Sequence, residues 1–326
     1  MRGISFFETI QEELVRVEEA IRGTLRADGE SLASRICIHL QEAGGKRLRP
    51  GLTLLAAQFG PKGPSDQLYR VAAAVEITHM ATLVHDDTID EAETRRGIPT
   101  INARWDDGTA ILAGDMLFAK AVSLLASVGQ PRLLWIMADA IGAMCQGEIQ
   151  QLDRRNDLNQ EEIHYLERVE KKTAVFIAAA CQMGALVSGA DEETGLRLRG
   201  YGLNVGMAFQ IIDDLLDLVQ ASDSHSGKPV GLDLKKGVFT LPLIYALNDN
   251  GKGDFFRTQL QKGCLNHAEL LLWACEHLES TGALDRSRRL ATAYITKARD
   301  ELLHLPESPV RQVLDEIADF VQERSF

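Results

Sequence analysis

The stretch EITHMATLVHDDTIDEAETRRGIPT (Glu76–Thr100) joins a helical repeat of apolar residues to three aspartates, Asp86, Asp87 and Asp90. On a helix Asp86 and Asp90 lie on one face, one turn apart. Like charges so placed repel each other, and carboxylates in an otherwise apolar helix are costly unless something neutralises them. The stretch therefore predicts a helix that ends in a cation site.

The same D-D-x-x-D pattern returns in AFQIIDDLLDLV as Asp213, Asp214 and Asp217, again among apolar neighbours. Magnesium prefers oxygen ligands and is usually held by a few carboxylates together with substrate phosphates. An EF-hand calcium site is excluded because the twelve-residue loop pattern is missing. Acidic helix faces are usually just solvated, but two copies within apolar helices favour Mg²⁺ as the cofactor.

Most of the remaining chain has helical periodicity, and runs typical of strands are nearly absent. The spacing predicts helices over Phe6–Leu25, Leu68–Thr88, Ala110–Ala126, Leu133–Leu152, Gln160–Gly189 and Val310–Arg324. Helix ends are predicted at Gly44-Gly45, Gly60-Pro61, Gly97 with Pro99, Gly129 with Pro131, and Gly202. No composition shift marks a linker, so we expect one all-α domain over residues 1–326.

Composition excludes several classes of function. The 326 residues carry 35 Lys+Arg against 47 Asp+Glu, a net charge of −12 that argues against nucleic-acid binding. The apolar segment Ala174–Ala190 is broken by polar residues, so no membrane span is expected. No signal peptide is visible in the acidic N-terminal stretch, and the five scattered cysteines suit neither disulfides nor zinc. We expect a cytoplasmic protein.

Cations stand close to the acidic motifs in sequence. Lys46, Arg47 and Arg49 lie together in GGKRLRP, and Arg95-Arg96 follow the first motif. Further candidates are Lys171-Lys172 with Thr173, Lys228, and His79, which lies two helical turns before Asp86. Cations beside metal-binding carboxylates are typical of a diphosphate site. A lone histidine in a helix is otherwise a satisfied core residue.

The stretch Asp223–Gly237 is rich in Gly, Ser, Pro, Asp and Lys, and it is predicted to be a surface loop. Loops of this length in compact domains often act as functional lids. The alternative is a merely solvated connection.

With these motifs in place, the chain resembles the trans-polyprenyl (isoprenyl) diphosphate synthase family from about Ala43 to Ala246. The resemblance is carried by segments that occur in the family's order: GGKRLRP, EITHMATLVHDDTIDEAETRRGIPT, ILAGDMLFAKA, GEIQQL, KKTA, GMAFQIIDDLLDL and GKPVGLDLKKG. It implies a single-domain bundle of mostly antiparallel helices around a deep central cavity, with both aspartate motifs facing each other at its mouth.

The resemblance also implies roles for individual residues. Asp86, Asp90, Asp213 and Asp217 would hold magnesium, and Asp87, Asp214 and Lys172 would complete the catalytic set. Isopentenyl diphosphate would be bound by Lys46, Arg49, His79 and Arg96. The allylic diphosphate would be held by Arg95, Lys172 and Lys228, with Thr173 and Gln210 facing the reacting carbons. Val238 departs from the pattern because family members often have Lys there; Lys235 or Lys236 is a possible substitute.

The implied reaction is metal-assisted ionisation of the allylic diphosphate, attack by isopentenyl diphosphate on the cation, and loss of a proton. A growing product would extend beneath Asp86 past small Ala81 and Thr82, then Thr78 and Ile77. This favours a long-chain product, from hexaprenyl to decaprenyl, that supplies a quinone side chain. The alternative is that Trp135, Phe118 or Phe176 closes the cavity first, as in a medium-chain geranylgeranyl or farnesyl diphosphate synthase.

Two other kinds of protein share some of these features. A terpene cyclase has a different second motif and does not need a second diphosphate site, whereas a non-catalytic regulatory subunit should have lost aspartates that this chain keeps. A catalytic subunit that requires a small partner remains open. A homodimer is expected from the family, with at most a peripheral membrane contact for product release.

Overall fold

A computed structural model of the chain describes residues 5–26, 31–42, 44–219, 232–249, 253–262, 278 and 280–323. Helices dominate these residues, and the only sheet in the described part is one short hairpin, so the all-α class is confirmed. Two compact units are distinguished by their internal packing. Unit 1 comprises Met1–Ala138 and Ala180–Leu198, and unit 2 comprises Asp139–Ala179 and Arg199–Phe326.

Unit 1 begins with a 3₁₀ turn, Ser5–Ile10, and its later elements carry the first motif. They are α1 (Gln11–Leu25), α2 (Leu32–Glu42), α3 (Leu48–Ala57), α4 (Asp66–Ile89), β1 (Thr94–Arg95), β2 (Ile98–Pro99), α5 (Ile101–Arg104) and α6 (Asp107–Val128). Three helices run through the unit boundaries: α7 (Pro131–Asp153), α9 (Val175–Val187) and α10 (Glu192–Val219). The boundaries between the two units therefore fall inside helices. That residues 1–326 form a single domain stays a prediction.

The core of unit 1 forms around α4. Ser65 caps its N-terminus by accepting a hydrogen bond from the Leu68 amide, and nearly every side chain from Val71 to Ala81 is buried. Helix α4 packs along α6 and also contacts α1 and α3. Its last turn emerges from this apolar packing, which places the first aspartates at the edge of the core.

Unit 2 holds α8 (Glu162–Val169), a π-helical turn (Glu170–Ala174), α11 (Leu232–Lys235), α12 (Leu241–Leu247), α13 (Gly253–Lys262), α14 (Ala283–Leu303) and α15 (Pro309–Glu323). Its core joins Tyr165 of α8, Ile211 and Leu215 of α10, and the wholly buried α12. The second motif lies on α10 directly against this core.

Several sequence predictions need correction. Gly202 does not end a helix, because α10 runs through it. Gln160–Gly189 is not one regular helix, since a π-helical turn separates α8 from α9. Residues 232–235 form a helical turn within the predicted loop, whereas residues 223–231 lie outside the described residues.

The expectation that no segment spans a membrane stays a prediction. Helix α6 is long and apolar enough to cross one by length and composition alone, and 33% of its most apolar window is buried inside the protein. A single helix of this kind is a weak signal, because core helices of globular proteins pass the same test.

Candidate active site

The first aspartate motif lies where α4 ends. Asp86 and Asp87 occupy its last turn, and Asp90 is the C-cap, whose amide still donates to the Asp86 carbonyl at 2.8 Å. Helical spacing is therefore kept through Asp90, as predicted. The carboxylates of Asp86 and Asp90 are partly exposed, whereas Asp87 is buried.

Asp87 is held by Arg95. The Arg95 Nε lies 2.8 Å from both Asp87 carboxylate oxygens, and Nη2 lies 2.7 Å from Oδ1. Burial alone would lower the pKa of Arg95, but the hydrogen bonds and charge of Asp87 outweigh it, and the pKa is raised. Arg95 is thus committed to Asp87, and its predicted role toward the allylic diphosphate stays a prediction.

Arg95 is placed by a two-residue hairpin in which it pairs with Ile98. The turn residues Arg96 and Gly97 both have positive φ, 53° and 82°, as the common two-residue hairpin turn requires. Glycine adopts this conformation readily, but arginine does so at a cost of about 1 kcal/mol. The strained Arg96 donates a hydrogen bond to the Gly44 carbonyl, which joins the hairpin to the GGKRLRP segment.

The residues predicted to bind isopentenyl diphosphate largely come together in unit 1. Arg49 Nη1 lies 3.2 Å from His79 Nε2. The positive charges of Arg96, Arg95 and Arg47 also act on the His79 imidazole. Burial and these cations, led by Arg49, hold the pKa of His79 well below its usual range. A neutral His79 accepts from Arg49 at Nε2, so its proton is on Nδ1. Lys46 is exposed on the neighbouring loop.

The second motif lies within α10 in unit 2. Asp213 and Asp217 are partly exposed and one helical turn apart, whereas Asp214 is buried. The exposure pattern of the first motif is therefore repeated.

Asp214 accepts two hydrogen bonds from neutral donors. Tyr165 Oη donates to Oδ2 and Gln210 Nε2 donates to Oδ1, each at 2.7 Å. Gln210 in turn accepts from Thr173 Oγ1 at 2.9 Å, so the predicted pair Thr173 and Gln210 is brought together. Burial, with a further contribution from Asp233, raises the pKa of Asp214 to about 7, although both hydrogen bonds oppose this.

The KKTA segment forms the π-helical turn, a distortion that is common at functional sites. The turn packs closely on two glycines: a Cβ on Gly147 would lie 2.8 Å from the Lys172 amide nitrogen, and one on Gly206 would lie 2.7 Å from Ala174 Cα. Lys172 makes a short ion pair with the buried Glu148. Both glycines belong to segments quoted for the resemblance, and close approach explains why glycine stands there.

Two predictions concern the loop and its end. Lys228 lies outside the described residues. Val238 is buried, and its amide donates to the Asp233 carbonyl at 2.8 Å. Lys236 is partly exposed two residues before Val238. That Lys235 or Lys236 takes the place of the usual lysine stays a prediction.

The proposed chain-length residues differ in accessibility. Ile77, Thr78 and Ala81 have no accessible surface, whereas Thr82 is partly exposed on the stripe that also carries His79 and Asp86. Among the possible stoppers, Trp135 is 71% exposed and Phe176 is buried. The Phe118 ring packs on His85, with centroids 5.7 Å apart, at the level of the first motif.

Among the described residues, no group of three or more acidic, histidine or cysteine side chains is preorganised to hold a metal ion. The two partly exposed aspartates of each motif nevertheless fit magnesium, which takes its remaining ligands from water and substrate phosphates. Sequence reasoning missed Tyr165 and Glu148. Glu148 belongs to the quoted GEIQQL segment, but no local pattern links Tyr165 to an aspartate 49 positions away.

Comparison with known proteins identifies the family. A family model described as polyprenyl synthetase matches residues 30–270. Heptaprenyl diphosphate synthase component 2 of Geobacillus stearothermophilus is 38% identical over all of both chains, and geranylgeranyl diphosphate synthase of Methanosarcina mazei is 36% identical, also over all of both. A Caulobacter crescentus polyprenyl synthase solved with calcium and isoprenyl diphosphate has a TM-score of 0.90 at 35% identity, covering 99% of this chain and 98% of that one.

Proposed function

Because the chain belongs to the polyprenyl synthetase family and is a trans-prenyltransferase that makes a polyprenyl diphosphate, we propose that it elongates an allylic diphosphate with successive isopentenyl units. The reaction depends on Mg²⁺, and the product is a long-chain trans-polyprenyl diphosphate for a quinone side chain. One observation carries the proposal. In both D-D-x-x-D motifs the outer aspartates remain partly exposed, while the middle one is buried and hydrogen-bonded.

In unit 1, Asp86 and Asp90 would hold magnesium against the allylic diphosphate. Asp87 serves a different purpose, because it anchors Arg95 and with it the hairpin that presents Arg96. Lys46, Arg49, His79 and Arg96 would bind isopentenyl diphosphate. Neutral His79 donates to a phosphate oxygen through Nδ1 while the arginines supply the positive charge.

In unit 2, Asp213 and Asp217 would hold further magnesium, and Lys172 and Lys228 would bind the allylic diphosphate. When bound, magnesium supplies electrostatic stabilisation of the departing diphosphate. Thr173 and Gln210 are held in one orientation by the hydrogen-bonded chain that ends at Asp214. Their oxygens can then face the reacting carbons without rearrangement, which is the advantage of a preorganised polar site.

Long product length is supported by small residues along α4 beneath Asp86. Because Thr82 has accessible surface and lies one turn, about 5.4 Å, below the motif, it is the best place for a steric test. Thr82→Phe should shorten the products, whereas Ala81→Phe would overpack a fully enclosed position and destabilise the fold. The named relatives include a geranylgeranyl synthase, so a medium-chain product is the alternative outcome.

Assembly as a homodimer is proposed through α6. Its side chains Ile111, Leu112 and Val122 are 50%, 69% and 45% exposed, an apolar surface that a second copy would cover. One relative is named component 2, so a small partner subunit is the competing occupant. Leu112→Glu should convert the dimer into a monomer in light scattering, and an unchanged mass would exclude this surface. A cytoplasmic location remains part of the proposal.

The deciding experiment is mass analysis of the products that the purified chain makes from farnesyl or geranylgeranyl diphosphate plus isopentenyl diphosphate, with and without Mg²⁺. We expect polyprenyl diphosphates of hexaprenyl length or longer, and none when the metal is chelated. Products that stop at geranylgeranyl would support the medium-chain alternative. No elongation by the chain alone would point to a heteromeric enzyme.

A further inference from the structure

Arg47 is the one cation of the GGKRLRP segment to which neither sequence nor comparison gives a role in substrate binding. Its guanidinium lies between two carboxylates: Nε donates to Glu18 on α1 and Nη1 donates to Glu76 on α4, the latter at 2.6 Å. The side chains of Arg47 and Glu76 are 16% and 4% exposed. Burial alone would lower the pKa of Arg47, but the two carboxylates outweigh it and raise the pKa, so the guanidinium stays charged.

The backbone at Arg47 is unusual as well. The residue has φ 54° and ψ 32°, a left-handed conformation that L residues seldom adopt, and it is the N-cap of α3. Arg47 stands between Lys46 and Arg49 in the sequence, at the residue where the chain turns into α3. A strained residue persists only when its surroundings fix it, and the two carboxylates do so.

Gly45 connects Arg47 to the hairpin. A Cβ on Gly45 would lie 2.9 Å from Nη1 of Arg47 and 2.9 Å from Nη1 of Arg96, with Glu76 Oε1 at 3.4 Å. Both guanidinium groups therefore reach the space left free at Gly45, where Glu76 offsets their mutual repulsion. Arg96 also donates to the Gly44 carbonyl, so the loop is held from the hairpin as well as from α1 and α4.

We propose that Arg47 is a positioning residue. By bridging Glu18 and Glu76, it fixes the segment Gly44–Arg49, a loop that leads into the first turn of α3, in the shape that presents Lys46 and Arg49 to isopentenyl diphosphate. The inference rests on the proposed function. It goes beyond it by assigning roles to three residues that touch no substrate. A fork-shaped guanidinium contacts two carboxylates at once, whereas a lysine ammonium is a point charge without that geometry.

The substitution Arg47→Lys keeps the charge and removes the fork, so it separates positioning from electrostatics. We expect the KM for isopentenyl diphosphate to rise about tenfold, with the KM for the allylic primer and kcat changed less than about twofold. If the variant proves too unstable to purify, Glu18→Gln replaces it, because Glu18 is the more exposed partner.

For Glu18→Gln, positioning and electrostatics predict opposite changes in the KM for isopentenyl diphosphate. Removing a negative charge near a diphosphate site should tighten diphosphate binding if only the electrostatic field matters. Positioning predicts the opposite, an increase of about threefold in the KM for isopentenyl diphosphate. The matched control is Arg16→Lys, which changes an exposed arginine that is also paired with carboxylates, Glu19 and Asp66, and should leave both KM values unchanged.

A folded Arg47→Lys or Glu18→Gln variant with an unchanged or lower KM for isopentenyl diphosphate would overturn the inference. So would an equal rise for both substrates. The wild-type chain is assayed in parallel, and its failure to elongate isopentenyl diphosphate would instead contradict the proposed activity of the chain alone. The two failures are therefore distinguishable.

Discussion

The two D-D-x-x-D motifs are identical in pattern but differ in how the buried middle aspartate is satisfied. In unit 1 Asp87 forms a forked ion pair with Arg95. In unit 2 Asp214 accepts from the neutral donors Tyr165 and Gln210, and burial raises its pKa to about 7. The first carboxylate anchors a cation and its hairpin, whereas the second orients an amide and a hydroxyl. One motif therefore organises charge, and the other organises hydrogen bonds.

Both motifs have partly exposed outer aspartates, and substituting these should change kcat more than any other substitution considered. Asp86→Asn and Asp213→Asn each remove a partly exposed carboxylate from a predicted metal site, so each should lower kcat by about a thousandfold. Both variants should keep the wild-type melting temperature, because neither aspartate is buried in its unit. Steady-state assays and thermal denaturation check this. A decrease in kcat for only one of the two variants would show that the outer aspartates of the two motifs are not equivalent.

The second prediction concerns the buried middle aspartates, Asp87 and Asp214, whose hydrogen-bond partners differ between the motifs. Asp87→Asn leaves Arg95 without its counter-charge and should cost about 2 kcal/mol of unfolding free energy. Asp214→Asn should cost only about 1 kcal/mol, because an amide oxygen still accepts one bond and the Tyr165 hydroxyl can turn to accept another. Denaturant unfolding measures both values. Equal costs would mean that the ion pair and the neutral network stabilise the fold alike.

The third prediction has the smallest expected change and concerns the cations that the carboxylates hold, Lys172 in unit 2 and Arg95 in unit 1. Lys172 is held by Glu148 in unit 2 much as Arg95 is held by Asp87 in unit 1. Glu148→Gln removes the charge but keeps an acceptor, so the KM for the allylic primer should rise about threefold while that for isopentenyl diphosphate stays constant. The control is Glu193→Gln, at an exposed i,i+4 pair with Arg197. A lower KM would show that Glu148 competes with the diphosphate for Lys172.

Sequence reasoning predicted much of the helical fold because α7 and α15 carry apolar residues at helical spacing, and α4 and α6 are long apolar segments without the alternation of a strand. It failed where tertiary packing overrides local preference. Gly202 is tolerated inside α10, and the π-helical turn depends on close contacts with Gly147 and Gly206 from other segments of the chain. Such long-range contacts leave no trace in a local pattern.

The candidate site was predictable to a similar degree. The aspartate spacing correctly placed the outer pair of each motif one helical turn apart. It could not show which carboxylate would be buried, because Asp87 and Asp214 owe their positions to Arg95 and to Tyr165, which are fixed by the fold. Nor could the spacing show that Ala81 is fully enclosed whereas Thr82 keeps accessible surface, because packing decides this.

The most direct test of the account is a calorimetric titration of Mg²⁺ into the chain with and without a non-ionisable allylic thiodiphosphate. We expect weak metal binding to the chain alone and binding at least about tenfold tighter with the analogue. The reason is that two carboxylates per motif leave coordination positions on Mg²⁺ for phosphate oxygens. Asp86→Asn and Asp213→Asn should each abolish that gain, while Asp214→Asn should retain it. Tight metal binding without the analogue, or a gain that survives loss of both Asp86 and Asp213, would contradict the account.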